Sequence, residues 1–362
     1  MDVETRLDLI KRVGEEIVTE DELRTVLETK THPIAYDGFE PSGLAPVHFG
    51  VYRSINLADL QQAGVKFKLW IADWHAWVNN KMGGDLEKIR QVGEYFIEVW
   101  KASGIDIANV DVLWASDAMS SREYWRKVLL VAKHTTLNRA IRCLTIMGRT
   151  TAELNETAQL IYPMMQIADI FHLEADICQL GMDQRRANIL AREVGPKLGW
   201  WKPVIVSHHI LMGLEGKKTP EGYDEDNGID TQISSKMSKS RPETCLYVHD
   251  DADAIARKIQ GAFCPERIVE GNPILEYCRY IVFRKRKTFT IERPPRYGGD
   301  VEVGDYLELE RMYREGAIHP SDLKTAVATA LNEIITPIRK HFETNRRAAE
   351  LYRVVREEEI TR

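Results

Sequence analysis

The residues best suited to chemistry in this chain are two lysines three positions apart in a short loop of small residues, Lys236-Met237-Ser238-Lys239-Ser240. Two ammonium groups so spaced can follow a polyphosphate and neutralise the charge that develops on a leaving pyrophosphate. The plain alternative is a solvated Lys/Ser loop. A second group lies far upstream: Tyr36-Asp37-Gly38-Phe39-Glu40-Pro41-Ser42-Gly43, then His48-Phe49-Gly50. Glycine lets a backbone approach phosphate, a helix start offers unpaired N–H groups, and an imidazole can donate to a phosphate oxygen, so His48 and Gly50 are candidates for that contact. Alone, this stretch reads equally well as a Gly-rich turn at a strand end. The two groups together, in this order and with a sheet's worth of chain between them, point to a nucleotide more strongly than either does.

A third group is Tyr162, Gln166 and Asp169, whose spacing of four and three places them on one helical face. With Met164, Met165 and Ile167 interleaved, the segment suits a helix lining a pocket; a half-exposed amphipathic helix is the competing interpretation. Gly181-Met182-Asp183-Gln184-Arg185-Arg186 reads as a turn after a short strand. His75, after Asp73-Trp74, reads as a structural histidine rather than a catalyst.

The elements that must position these residues follow from hydrophobic periodicity. Residues 1–32 form an N-terminal helical arm, with Thr19 or Asp21 capping its second helix. From Pro33, strands at Ile34–Tyr36, Phe67–Ala72, Val110–Trp114, Ile177–Gln179 and Val204–Val206 alternate with helices, one opened by Asp85, one started by a capping box at Ser120–Glu123. That order predicts an α/β fold, a Rossmann-like doubly wound parallel sheet over 33–240 with helices on both faces, a helical insertion at about 120–160, and ligands at the strands' carboxyl ends. Residues 215–235 read as a long, mobile polar loop. A mostly helical second domain is expected over 241–362.

At 362 residues, 44% apolar and 29% charged, the chain has room for such domains. It has no uncharged apolar run near ~18 residues and a mixed, charged N-terminus, so neither export nor membrane insertion is expected and a cytoplasmic location is. Five cysteines without a C-x-x-C pair argue against a disulfide framework or a protein-bound metal. A net charge of −6 leaves RNA binding open, because basic patches can be local.

On these motifs the chain resembles the class I aminoacyl-tRNA synthetases, and more narrowly the tyrosyl type of archaea and eukaryotes, from Tyr36 to about Phe342. His48-Phe49-Gly50-Val51 occupies the His-Ile-Gly-His signature, with Val51 in place of the second histidine, and the lysine loop matches the second signature letter for letter. The resemblance implies that ATP, carried with Mg²⁺ as a substrate complex, contacts His48, Gly50, Lys236 and Lys239, with His48, backbone N–H groups and Lys239 making up for the donor missing at Val51. It implies that Tyr162, Gln166 and Gln184 hold the α-amino group of L-tyrosine while Tyr36 and Asp169 meet the phenol. It implies tRNA(Tyr) as partner, with Arg142 and Arg185 at the acceptor stem and Tyr297, His319 and Asp322 at the anticodon; Asp322 alternatively reads as a helix cap. A homodimer through the insertion is implied too. A tryptophanyl enzyme, another nucleotidyl transferase, and a non-catalytic tRNA-binding paralogue remain as alternatives.

Overall fold

The computed structural model describes residues 1–239 and 241–360; Ser240, the last residue of the lysine signature, lies outside them. Six strands form one sheet: β1 (Glu16–Val18), β2 (Ile34–Phe39), β3 (Lys66–Ile71), β4 (Val110–Trp114), β5 (Ile177–Cys178) and β6 (Val204–Ser207), in the order β1-β6-β5-β2-β3-β4. β2 through β6 run parallel, joined by helical crossovers, while β1 is an antiparallel edge paired Glu16 to Ser207. The N-terminal arm is therefore not wholly helical. Three residues, Glu16-Ile17-Val18, are too few to show alternation, and only the ladder with β6 makes them a strand.

The order of strand addition reverses around β2: the next strands are added on one side, β5 and β6 on the other. The carboxyl ends of β2 and β5 thus border the switch point, where crossovers leave the sheet edge uncovered. Capping fixes where helices begin. Thr19 accepts from Glu22 N ahead of the helix Glu20–Thr29, and Asp85 accepts from Glu87 N and Lys88 N ahead of Leu86–Ala102. In the insertion the cap is Ser121, one residue later than expected and without a reciprocal Glu123 side chain. The insertion also breaks at His134 into Arg122–Lys133 and Leu137–Cys143. Residues 215–235 are not structureless. Asp226 caps a helix over Asn227–Ser234, and the Asp230 carboxylate accepts from the backbone N–H groups of Glu221 and Gly222 at 3.0 and 2.8 Å.

Two apolar layers sandwich the sheet. One packs Tyr36, Trp70, Met164, Ile167 and Ile170 under the insertion. The other runs from Leu7 and Ile10 through Val99 and Trp100 to Leu331, Ile335 and Phe342, so the core does not stop at residue 240. The C-terminal part is mostly helical, with Pro320–Thr344 its longest helix, and adds a hairpin, β7 (Phe289–Ile291) and β8 (Val301–Val303). Close packing on this second layer is set at Gly93, where an added Cβ would stand 2.5 Å from Trp114 and 3.1 Å from Ile71. Neither ring nor strand can give way cheaply. Gly93→Ala should therefore cost about 1–3 kcal/mol in urea unfolding despite alanine's better helix propensity, and an unchanged midpoint would show that Trp114 is free to move.

Candidate active site

A cleft of about 450 Å³ opens at the carboxyl ends of the parallel strands and draws together Tyr36, His48, Tyr162, Gln166, Asp169, Gln184, Lys236 and Lys239. Its closed end is built around Asp169, 2% exposed on the helix Tyr162–His172. A carboxylate so deeply buried must be answered by donors. Tyr124 donates its hydroxyl to Oδ1 at 2.6 Å, and His75 Nε2 lies 3.1 Å from Oδ2, off the line of a straight hydrogen bond. Asp169 also holds the His75 imidazole above its ordinary value against the opposing effect of burial. Tyr36, on β2, has a fully buried hydroxyl with no partner, and burial, reinforced by the neighbouring Cys178 thiol and Asp169 carboxylate, pushes its pKa far up. It stays a neutral phenol.

Two turns back on the same helix, Tyr162 donates to Glu40 Oε1 at 2.7 Å, and Glu40 also accepts from Asn79 at 2.9 Å. Gln166 Nε2 donates to Gln184 Oε1 at 3.0 Å, and Gln184 donates on to the Ile146 carbonyl. The three positions spaced by four and three do share one face, but every side of this helix is buried, so it is a core helix rather than an amphipathic one.

The open end is cationic. Lys239 Nζ lies 3.2 Å from both the carbonyl and the hydroxyl of Ser42, in the Gly-rich stretch after β2, and Lys236 Nζ lies 3.6 Å from Asp183 Oδ2. Burial, then the ammonium groups of Lys239 and Lys236, pull the His48 imidazole down to about 4. It is neutral at physiological pH and presents one N–H. Gly50 does not line the cleft: an added Cβ would stand 2.6 Å from Val248 and 3.0 Å from Val99, so this glycine serves close packing in the core rather than phosphate approach. Position 51 likewise faces inward. His48–Tyr52 is a π-turn, which rotates residue 51 away from His48, and Val51 is 2% exposed.

The profile of the family described as tRNA synthetases class I (W and Y) matches residues 28–222 and 229–336. The chain is 44% identical over 364 residues to tyrosine–tRNA ligase 1, cytoplasmic, of Arabidopsis thaliana, covering all of this chain and 90% of that one. It is 46% identical over 347 residues to the tyrosine–tRNA ligase of Saccharolobus islandicus strain M.14.25 / Kamchatka #1, covering 95% of each. The crystal structure of the Pyrococcus horikoshii tyrosyl-tRNA synthetase complexed with L-tyrosine superposes with a TM-score of 0.88 at 39% identity, over 98% of this chain and all of that one. This chain belongs to the class I tyrosyl-tRNA synthetases. The tryptophanyl-tRNA synthetase of Aeropyrum pernix K1, at 17% identity and a TM-score of 0.64, shares the fold.

Several cleft residues of this synthetase were not singled out from sequence. Glu40 lies in the Gly-rich stretch and Asp183 beside Gln184, but their partners Tyr162 and Lys236 are 122 and 53 positions away. Asp37 is buried and ion-paired with Arg53 at the cleft wall, again without a local signal. Tyr124 comes from the insertion. Among the described residues no group of three His, Cys, Asp or Glu side chains could hold a metal ion, and no helix is long and apolar enough to cross a membrane.

The residues expected to meet RNA lie elsewhere. Arg185 is engaged twice by Glu16 of β1, at 2.7 and 2.9 Å, and Arg142 lies 3.5 Å from Glu225. At the far end Tyr297 is 60% exposed with Arg296 over its ring. Arg293 donates to the carbonyls of Gly299 and Ala317, tying the Tyr297 turn to the segment leading into His319. The helix cap there is His319, whose Nδ1 accepts from Ser321 N; Asp322 stands in the first turn and is not the cap.

For the free synthetase, His48 should titrate near 4 in NMR spectra of the imidazole rather than near 6.5. Because the folded value is depressed, protonating it costs stability as pH falls below 6.5, and substituting Lys239→Ala should move the midpoint upward. A midpoint above 6 in the unliganded protein would show that the imidazole is hydrated and the lysines stand farther off.

Proposed function

We propose that this cleft activates L-tyrosine with ATP to tyrosyl-adenylate and transfers tyrosine to the 3′ end of tRNA(Tyr). One observation carries the specificity: the buried, unpartnered Tyr36 hydroxyl beside an Asp169 carboxylate that is held at both oxygens yet not saturated. A substrate phenol can donate to Asp169 and accept from Tyr36 at once. Phenylalanine satisfies neither, and an indole N–H can only donate, leaving Tyr36 unpaired. Tyr162, Gln166 and Gln184, with Glu40 behind Tyr162, then receive the α-ammonium group, which places the carboxylate toward the cationic end. There it attacks the α-phosphorus in line. His48 donates to a phosphate oxygen, and Lys236 and Lys239 neutralise the departing pyrophosphate, so positioning and charge stabilisation do the catalytic work without a protein nucleophile. Mg²⁺ arrives on ATP, whose own phosphates supply its oxygens.

For tRNA, Arg142 and Arg185 suit phosphates and guanine edges of the acceptor stem, and exposed Tyr297 with His319 and Asp322 suits an unstacked anticodon base. The division into an arm over 1–32, a catalytic domain over 33–240 and an anticodon domain over 241–362 follows this separation of tasks. The insertion leaves Leu129 and Leu137 each 64% exposed, an apolar surface that fits a homodimer contact. A cytoplasmic site of action fits tRNA as substrate.

Amino-acid-dependent ATP–pyrophosphate exchange tests this reading. The wild type should exchange with tyrosine and not with tryptophan; the reverse would overturn the specificity. Asp169→Asn keeps the packing but removes the charge, and should cut kcat/KM for tyrosine by roughly two to three orders of magnitude while narrowing the preference over phenylalanine. Unchanged selectivity would remove Asp169 from phenol recognition. Lys239→Ala should slow adenylate formation by roughly a hundredfold or more with tyrosine binding retained; an unimpaired rate would remove Lys239 from the phosphate site.

A further inference from the structure

At the edge of the cleft, just past β6, the His209 ring is held between carboxylates from opposite ends of the chain. Nδ1 lies 3.0 Å from Glu15 Oε2 and Nε2 lies 3.1 Å from Glu276 Oε1, while the ring stacks on Tyr280 at 4.3 Å between centroids and an interplanar angle of 6°. The side chain is only 13% exposed and that of Glu276 9%. Burial opposes a charge here, yet the two carboxylates push the imidazole up to about 9. The other charged or titratable groups facing this cluster include Arg279, whose charge acts on Glu15, His208, which feels His209, and the buried phenols of Tyr52, Tyr277 and Tyr280, which feel Glu15 or Glu276.

What makes the cluster more than a local ion pair is that each partner of His209 also holds the lysine loop. Glu276 Oε1 accepts from Met212 N at 2.7 Å, and the adjacent Tyr277 donates its hydroxyl to the Met212 carbonyl at 2.9 Å. Met212 is bridged antiparallel to Lys236, and Met237 N donates to the Leu211 carbonyl at 3.2 Å. On the other side, the Gln232 amide lies 2.7 Å from both Glu15 and His209 Nδ1. Gln232 belongs to the helix Asn227–Ser234 that leads directly into Lys236. Without the imidazolium, two carboxylates would face one another across the base of the loop, one of them buried.

We propose that His209 is a positioning residue for the lysine loop: by spacing and neutralising Glu15 and Glu276 it fixes the Ile210–Met212 segment against which Lys236 and Met237 pair. This rests on the reading above that Lys236 and Lys239 meet ATP. The loop that handles phosphate is thereby tied at one histidine to both the N-terminal arm and the C-terminal helices.

His209→Gln, which keeps reach but not charge, should lower kcat for tyrosine-dependent exchange by roughly tenfold to a hundredfold and raise KM for ATP, with KM for tyrosine held within about twofold. Hydrogen exchange should accelerate at the amides of Met212 and Met237 and not at β2 or β3. The stability gap between wild type and variant should be full below pH 6.5 and close as pH rises through about 9, because the raised folded value makes the contribution one that deprotonation removes. Glu15→Gln serves as a milder variant should His209→Gln fail to fold, and it should move the same parameters in the same direction. Unchanged kcat with unchanged amide exchange would overturn the proposal, as would an equal loss of tyrosine binding, which marks general destabilisation. If the wild type shows no exchange with tyrosine, the functional reading falls, and amide exchange at Met212 and Met237 alone then decides the role of His209.

Discussion

Burying the Asp169 carboxylate is the constraint around which the closed half of the molecule is arranged. A carboxylate at 2% exposure loses its hydration and must find replacements within the protein. Tyr124 reaches it from the insertion and His75 from the segment after β3, so three separate elements converge on one side chain. A carboxylate has room for about four donors, and these two leave capacity for another. The unpartnered Tyr36 hydroxyl beside it is the complementary deficit. A core that tolerates two under-satisfied polar groups side by side is less stable than an apolar one, and it gains an affinity for a ligand that completes both.

The other end of the cleft works by different physics. The cations Lys236 and Lys239 stand at an open mouth, 32% exposed in the case of Lys236, and their effect depends on being held at a fixed height rather than on desolvation. Holding them falls to backbone pairing with Leu211 and Met212, just beyond β6, and to Ser42, just beyond β2. Both anchors lie at carboxyl ends of parallel strands on either side of the switch point. Parallel order therefore brings residues 42 and 239 together. The depressed His48 reflects its burial first and the two nearby ammonium groups second, and it leaves a neutral donor that gains interaction energy when an anion arrives.

What could be read in the sequence was local. The lysine loop, the Gly-rich stretch and the Tyr162, Gln166, Asp169 face are each contained in a few consecutive turns, and the parallel sheet followed from alternation of strand and helix patterns. Thr19 and Asp85 could be placed as caps because a cap is a one-turn signal. Ser121 was missed by one residue since Ser120 offers the same oxygen. Gly50 was placed at the phosphate by its position in the signature, and no local pattern reveals that Val248 and Val99 close on it; Val51 beside it is likewise buried. Glu40, Asp37 with Arg53, and Tyr124 carry no local pattern, because their meaning comes from partners brought near only by the completed sheet. The helix Asn227–Ser234 escaped because its stability comes from Asp226 and Asp230 binding backbone rather than from an apolar stripe.

The arginines proposed to meet RNA stand beside carboxylates. Arg185 is already clamped by Glu16, and Arg142 lies near Glu225. An arginine held by a carboxylate has its guanidinium oriented in advance, so less side-chain entropy is lost when a phosphate replaces the acid. The same pairing lowers attraction for polyanions in general, since a phosphate must compete with a carboxylate instead of with water. For an RNA docked as proposed, counterion release would be offset in part by solvating Glu16 and Glu225. Affinity then depends on reaching both arginines at once. On the proposed docking, an acceptor stem that presents its phosphates to both arginines would do that better than an arbitrary polyanion, and the paired acids would then turn electrostatic attraction into selectivity.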